Sequence, residues 1–132
     1  MQTAPSLDAF PTAPTIEAVA VKAAVRVAKA WRLTSATAAA LLAVSPRTYA
    51  RMKDGSHTGD LRQDQLTRAS ALVGLYKGLH LYFDGDLADR WPSMPNTGPL
   101  FAGQTPVAFM QAGGLPALLE ARAYVDAIRG GV

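Results

Sequence analysis

The sequence predicts an all-α chain, a helical bundle followed by a smaller C-terminal helical unit. Apolar residues recur three and four positions apart along most of its length, the period of a helix with one buried face. No stretch alternates convincingly enough for a strand, and no internal repeat of solenoid length is present. Start signals at Thr15, Thr34, Ser45-Pro46 and Thr105-Pro106 alternate with stops at Asp54-Gly55, Asp84-Gly85-Asp86 and Gly113-Gly114.

Residues 1–13 are expected to form a flexible arm, because prolines and polar residues there leave no helical spacing of apolar groups. A first helix should then run from near Thr15 to Trp31, with Ile16, Val19, Ala23, Val27 and Ala30 recurring on one side. The Thr15 hydroxyl can cap its free amides. Thr34 is the matching cap for Ser35 to Leu42. Ser45 caps a third helix, whose first position suits the fixed φ of Pro46, and which ends near Lys53.

After a loop over 55–59, a long apolar helix is expected over 61–83. Its inner stripe would be Leu66, Ala69, Val73, Tyr76, His80 and Phe83, broadened by Leu72, Leu75, Leu79 and Tyr82. So wide an arc implies a helix that is central or shared with a second subunit. Gly74 and Gly78 would let another helix approach closely, a dimer interface included. A short piece to Trp91 precedes a loop over 92–104 rich in Pro, Asn and Gly. Thr105-Pro106 opens a short helix that stops at Gly113-Gly114. A last helix over 115–129 carries Leu118, Ala121, Val125 and Ile128 on one face.

Composition narrows the function. Apolar residues make up 49% of the 132 positions, enough for a core. No apolar run is long enough to span a membrane, and no secretory pattern opens the chain, so a cytoplasmic location is expected. Without cysteine there is no disulfide framework and no thiolate metal site. The net charge of +3 is uneven: residues 1–53 hold seven basic and two acidic groups, residues 54–132 six and eight. The run Lys22, Arg26, Lys29, Arg32, Arg47, Arg51 and Lys53 contains no carboxylate, a pattern that either attracts phosphate backbones or forms a solvated helix surface.

Catalytic and metal-binding candidates are poor. His57 is expected to be an exposed loop residue, and His80 a satisfied group in the core or an interface. Asp84, Asp86 and Asp89 lack the ligand count and spacing of a calcium loop, and the glycines match no phosphate-binding pattern. No catalytic residue, metal or cofactor is expected.

The segment TAAALLAVSPRTYARMKDG, residues 37–55, has the logic of a helix-turn-helix. Ala39 is small where two helices cross, Ala43 stands at the tight turn, and Val44 plugs the core. Tyr49 and Met52 would face inward, leaving Arg47, Thr48 and Arg51 outside. This resembles the Xre, phage-repressor-like, group. Its geometry implies that the second helix enters the major groove, with Ser45, Arg47, Thr48, Arg51 and Lys53 as DNA contacts. The competing reading is a helical scaffold that no longer binds DNA, and the absence of Gln and Asn from the second helix favours it.

The C-terminal landmarks are Trp91, Pro95-Asn96, Leu100, Gly103, Thr105-Pro106, Gly114, Val125, Ile128 and Gly130. In this order they resemble the toxin-binding domain of the Xre/MbcA/ParS-type antitoxins, partners of RES-domain toxins. Pro92 departs from the apolar residue usual in that family after the Trp, and the Pro-rich arm has no counterpart in it. Beside the arm over 1–13, the resemblance implies a helical DNA-binding and dimerisation domain over 14–83 and a toxin-binding domain over 84–132. It implies no enzyme, but a homodimeric antitoxin in a larger complex with a toxin that degrades NAD, and repression of its own operon. The last helix and tail would close the toxin's active site through Leu119, Arg122, Tyr124, Asp126, Arg129, Gly130, Gly131 and Val132. Glycines suit a narrow cleft, and a terminal carboxylate could meet cations that otherwise hold phosphate. The alternative is a stand-alone transcriptional regulator whose C-terminal domain only dimerises.

Overall fold

Helix boundaries in this chain are set by side chains that satisfy backbone groups no helix can satisfy for itself. The computed structural model describes residues 15–130; the expected arm over 1–13, and Gly131 and Val132, lie outside the described residues. Six α-helices follow in order: α1 Ile16–Ala30, α2 Ser35–Leu42, α3 Pro46–Asp54, α4 Gln63–Tyr82, α5 Leu87–Arg90 and α6 Pro106–Arg129. A 3₁₀ turn, Trp91–Ser93, extends α5, and the described residues contain no strand.

Four hydroxyls cap four helices. Thr15, Thr34, Ser45 and Thr105 accept from the amides of Ala18, Thr37, Thr48 and Ala108 at 3.0–3.1 Å. The α4 start is different and later than its apolar pattern implies, with Leu61 and Arg62 still outside the helix. There the Gln65 side chain reaches back, its Oε1 accepting from the Arg62 amide at 2.8 Å. At the far ends, Ala43 (φ 56°, ψ 43°) and Gly55 (φ 83°) turn left-handed and stop α2 and α3.

α4 is the spine, with α1 on one side and α6 on the other. Of the residues expected inside, Ala69, Leu72, Leu75 and Leu79 are buried, so the face centres on those expected to broaden the stripe. The most enclosed residues are Ala69, Ala71, Leu72, Leu75, Gly78 and Leu79. Val73 and Tyr76 are only half-buried, flanking α1, while His80 lies at the surface. At about 100° per residue the true face is rotated by roughly a quarter turn. The cause is the small side of the helix: Ala71, Gly74 and Gly78 admit α6 closely. Gly74 lies against α6, where a Cβ would collide with the guanidinium of Arg122, and Gly78 is buried.

One core runs through all of this, from Val27 in α1 and Trp31 just after it to Leu118, Ala121 and Val125 in α6. α6 breaks at Gly114, where φ 67° and ψ −150° belong to a region that only glycine enters readily. The expected division into two helical pieces is found there. Pro116 falls in the first turn of the second piece, where its missing N–H costs least. The loop over 92–104 is bonded to itself: Gly103 (φ 90°) donates to the Asn96 carbonyl at 2.7 Å, and the Asn96 amide donates to Gln104 at 3.0 Å. It delivers Phe101, fully buried, into a cluster of rings. Trp91, Phe109 and Tyr124 surround it at centroid distances of 5.6, 5.3 and 5.2 Å, all edge to face.

Two histidines depart from expectation. His57 is half-buried, and both ring nitrogens are enclosed without a hydrogen-bond partner, because the loop after α3 folds back over it. His80 is satisfied, but at the surface rather than in the core. Its Nε2 lies 2.7 Å from Asp89 of α5, and its ring is 4.3 Å from that of Tyr76.

The turn between α2 and α3 is held from α4. Gln65 Nε2 donates to the Ala43 carbonyl at 2.9 Å, and Arg68 donates to the Leu41 carbonyl at 3.2 Å. Gln65 is the one polar residue in the buried set of described residues, so removing it leaves a part-buried acceptor unpaired. Gln65→Ala is expected to lower unfolding free energy by about 1–3 kcal/mol in urea titration. The exposed Gln63→Ala change should cost less than about 0.5 kcal/mol. Equal effects would remove the stitch from this account.

Candidate nucleic-acid and partner surfaces

α2 and α3 form the helix-turn-helix that the motif implies. Ala38, Ala39, Leu41 and Leu42 of α2 are buried, as are Tyr49 and Met52 of α3. Val44 is half-buried and packs on the core after the left-handed turn. Burial pushes the Tyr49 phenol above its ordinary pKa, so it stays neutral.

The five candidate DNA contacts do not act alike. Arg47 and Arg51, one turn apart, are exposed on the side of α3 opposite Tyr49 and Met52. Ser45 and Thr48 share the cap: the Ser45 hydroxyl accepts from the Thr48 amide and donates to the Thr48 hydroxyl, both at 3.0 Å. Lys53 turns away from the arginine face. Its Nζ lies 2.9 Å from the Ser35 hydroxyl at the start of α2 and 5.8 Å from the centre of the Tyr49 ring. Asp54, at the end of α3, is held below the usual carboxylate range by hydrogen bonds from Ser56, with a smaller contribution from nearby Arg51. The structure thus brings Arg47 and Arg51 together as one face and places Lys53 on another.

The toxin-contact candidates also divide. Leu119, Arg122 and Asp126 fall on one side of α6 at spacings of three and four, and helical spacing continues that row to position 129. Leu119 is 45% exposed, large for a leucine. Arg122 bends over Gly74 toward the Ser70 carbonyl at 3.4 Å and lies 3.9 Å from Asp126. Tyr124 is on the other flank, half-buried, stacked on Trp91 at 6.4 Å and edge-on to Phe101. Gly130 is exposed at the end of the helix; the side chain of Arg129, and Gly131 and Val132, lie outside what is described.

Sequence reasoning overlooked three positioning residues. Gln65 and Arg68 read as ordinary polar positions on a helix, and only their spacing of three hints that both face one way. Phe101 carried a clearer signal, a lone aromatic in a Gly- and Pro-rich loop. Among the described residues no three His, Asp or Glu side chains gather as a metal site. No helix there is long and apolar enough to cross a membrane.

The geometry assigns Ser45 first to structure. Ser45→Ala should therefore cost about 0.5–2 kcal/mol in thermal or urea unfolding, the usual value of an N-cap. Ser45→Asp, which can also accept from the Thr48 amide, should restore most of it. A stability unchanged by Ser45→Ala would mean that the cap contributes nothing.

Residues 11–74 match the family model of the antitoxin Xre-like helix-turn-helix domain. No curated protein matches the chain. The matched stretch ends within α4, so it takes in α1, both helices of the motif and the two side chains that hold the turn. The match and the buried face of α2 and α3 together support the Xre-type antitoxin family, a regulatory and DNA-binding family, for this half of the chain.

Proposed function

We propose that this protein is the antitoxin of a type II toxin–antitoxin pair, with a RES-type, NAD-degrading toxin as its partner. The Xre-like match carries the antitoxin and DNA-binding part of the reading. The finer part rests on the C-terminal landmarks and on the row of Leu119, Arg122 and Asp126 leading to residues 129–132. In this reading α3 enters the major groove of the operator, with Arg47 and Arg51 toward base edges or phosphates and the Ser45–Thr48 cap at the backbone. The α6 row and the residues after it cover the toxin's active site, and the chain itself performs no catalysis. Tyr124 contributes by fixing α6 against Trp91 and Phe101.

The proposed assembly contains two copies of the chain in the cytoplasm. The broad apolar arc of α4 is used inside each copy, between α1 and α6. Exposed apolar surface remains on α1, at Ile16 and Val19, and at the end of α4, at Leu81 and Tyr82.

Co-expression with a RES-type toxin tests the reading, scored by cell survival and intracellular NAD. The full chain should protect, and loss of residues 130–132 should weaken protection while leaving DNA binding intact. Replacing Arg47 and Arg51 with Ala should do the reverse, lowering operator affinity and reducing the salt slope by roughly 2. Unchanged protection after the deletion sinks the occluding tail. Unchanged DNA binding in the double variant places the DNA surface elsewhere.

A further inference from the structure

We infer that the exposed ridge of α1, formed by Lys22, Arg26 and Lys29, is a second phosphate-contact row that holds a DNA strand beside the helix-turn-helix. The inference rests on the DNA-binding reading above and extends it to a helix outside the motif. Spacings of four and three place the three cations on one side of α1, and all three are exposed. No ion pair joins any of them to another described residue.

Their surroundings favour an extended anion. Lys22 and Arg26 form the crest between two open grooves of about 710 and 610 Å³. Lys53, from the end of α3, lines the first groove, so the ridge borders the motif on the side of α3 away from Arg47 and Arg51. Lys77 of α4 lines the second, which has no carboxylate on its walls. The first groove also holds Glu17, Asp54 and Asp60, which would repel phosphate. The strand is therefore placed along the crest, not in the floor of that groove.

Dimensions agree. Seven residues of helix rise about 10 Å. One strand of B-DNA presents a phosphate about every 3.4 Å of axial rise and farther apart along the inclined strand itself, so the ridge meets about two or three. The ridge contacts phosphates only. It adds affinity and salt dependence without adding sequence preference.

The test uses the full chain and a 40-base-pair duplex enriched by it from a randomised pool, with binding titrated across salt. Replacing Lys22, Arg26 and Lys29 together by Gln should reduce the slope of log affinity against log salt by roughly 2 to 3, about 0.9 per lost contact. Sequence preference should be unchanged. A swap that keeps charge, Lys22→Arg with Arg26→Lys and Lys29→Arg, should restore the slope, and helical signal and melting temperature report that each variant folds. If the Gln variant folds and binds with the wild-type slope while Arg47→Ala with Arg51→Ala loses binding, the ridge is overturned and the motif reading stands. If the swap fails to restore the slope, the loss came from shape and the ridge is overturned as well. If the wild-type chain enriches no duplex, the DNA-binding reading falls and the ridge with it.

Discussion

The carbonyls at the end of α2 are paired from two sides: the amides of Ala43 and Val44 turn back to Ala39 and Ala40, and α4 supplies donors for Leu41 and Ala43. α2 has only eight residues and ends in a left-handed alanine, a conformation that costs an L-residue about 1 kcal/mol or more. Gln65 and Arg68 of α4 bond the carbonyls of Ala43 and Leu41 on either side of that strained turn. Asp64 supports the pair: its carboxyl is held below the usual range chiefly by a hydrogen bond from Arg62, with Arg68 3.5 Å away on the other side. The direction of α3, and so of Arg47 and Arg51, follows from a turn that its own backbone closes and that α4 braces.

α4 performs the same service for the C-terminal half. Its small residues admit α6, and its large ones meet α1 and the interior. Arg68 reaches back to α2 and also comes within reach of Gly114, where a Cβ would sit 3.6 Å from its guanidinium. The break in α6 and the turn of the motif are thus neighbours of one side chain. A single core carries two outward surfaces, one basic on α1 and α3, the other mixed on α6.

Local chemistry was legible in the sequence because caps act within three residues. Thr15, Thr34, Ser45 and Thr105 each bond the amide three positions on, and all four helix starts follow from that. Ala43, expected at a tight turn, is left-handed there. The face of α4 did not, because counting large apolar residues gives no weight to Ala71, Gly74 and Gly78, where the closest packing lies. Lys53 and Tyr124 show the limit at the sites. Residue type and spacing bring them near a surface, but contact with Ser35 and with the Trp91–Phe101 cluster is set by partners far along the chain.

The central claim is that the helix-turn-helix and the C-terminal helices share one cooperative core. Both tryptophans are buried, Trp31 among residues of α1 and α2 and Trp91 against Tyr124 of α6. Trp31→Phe and Trp91→Phe each leave one fluorescent reporter. In urea, each variant's fluorescence and helical circular dichroism should trace one superimposable transition. A fluorescence midpoint separated from the loss of helix in either variant would show that the halves unfold independently, and would contradict the account.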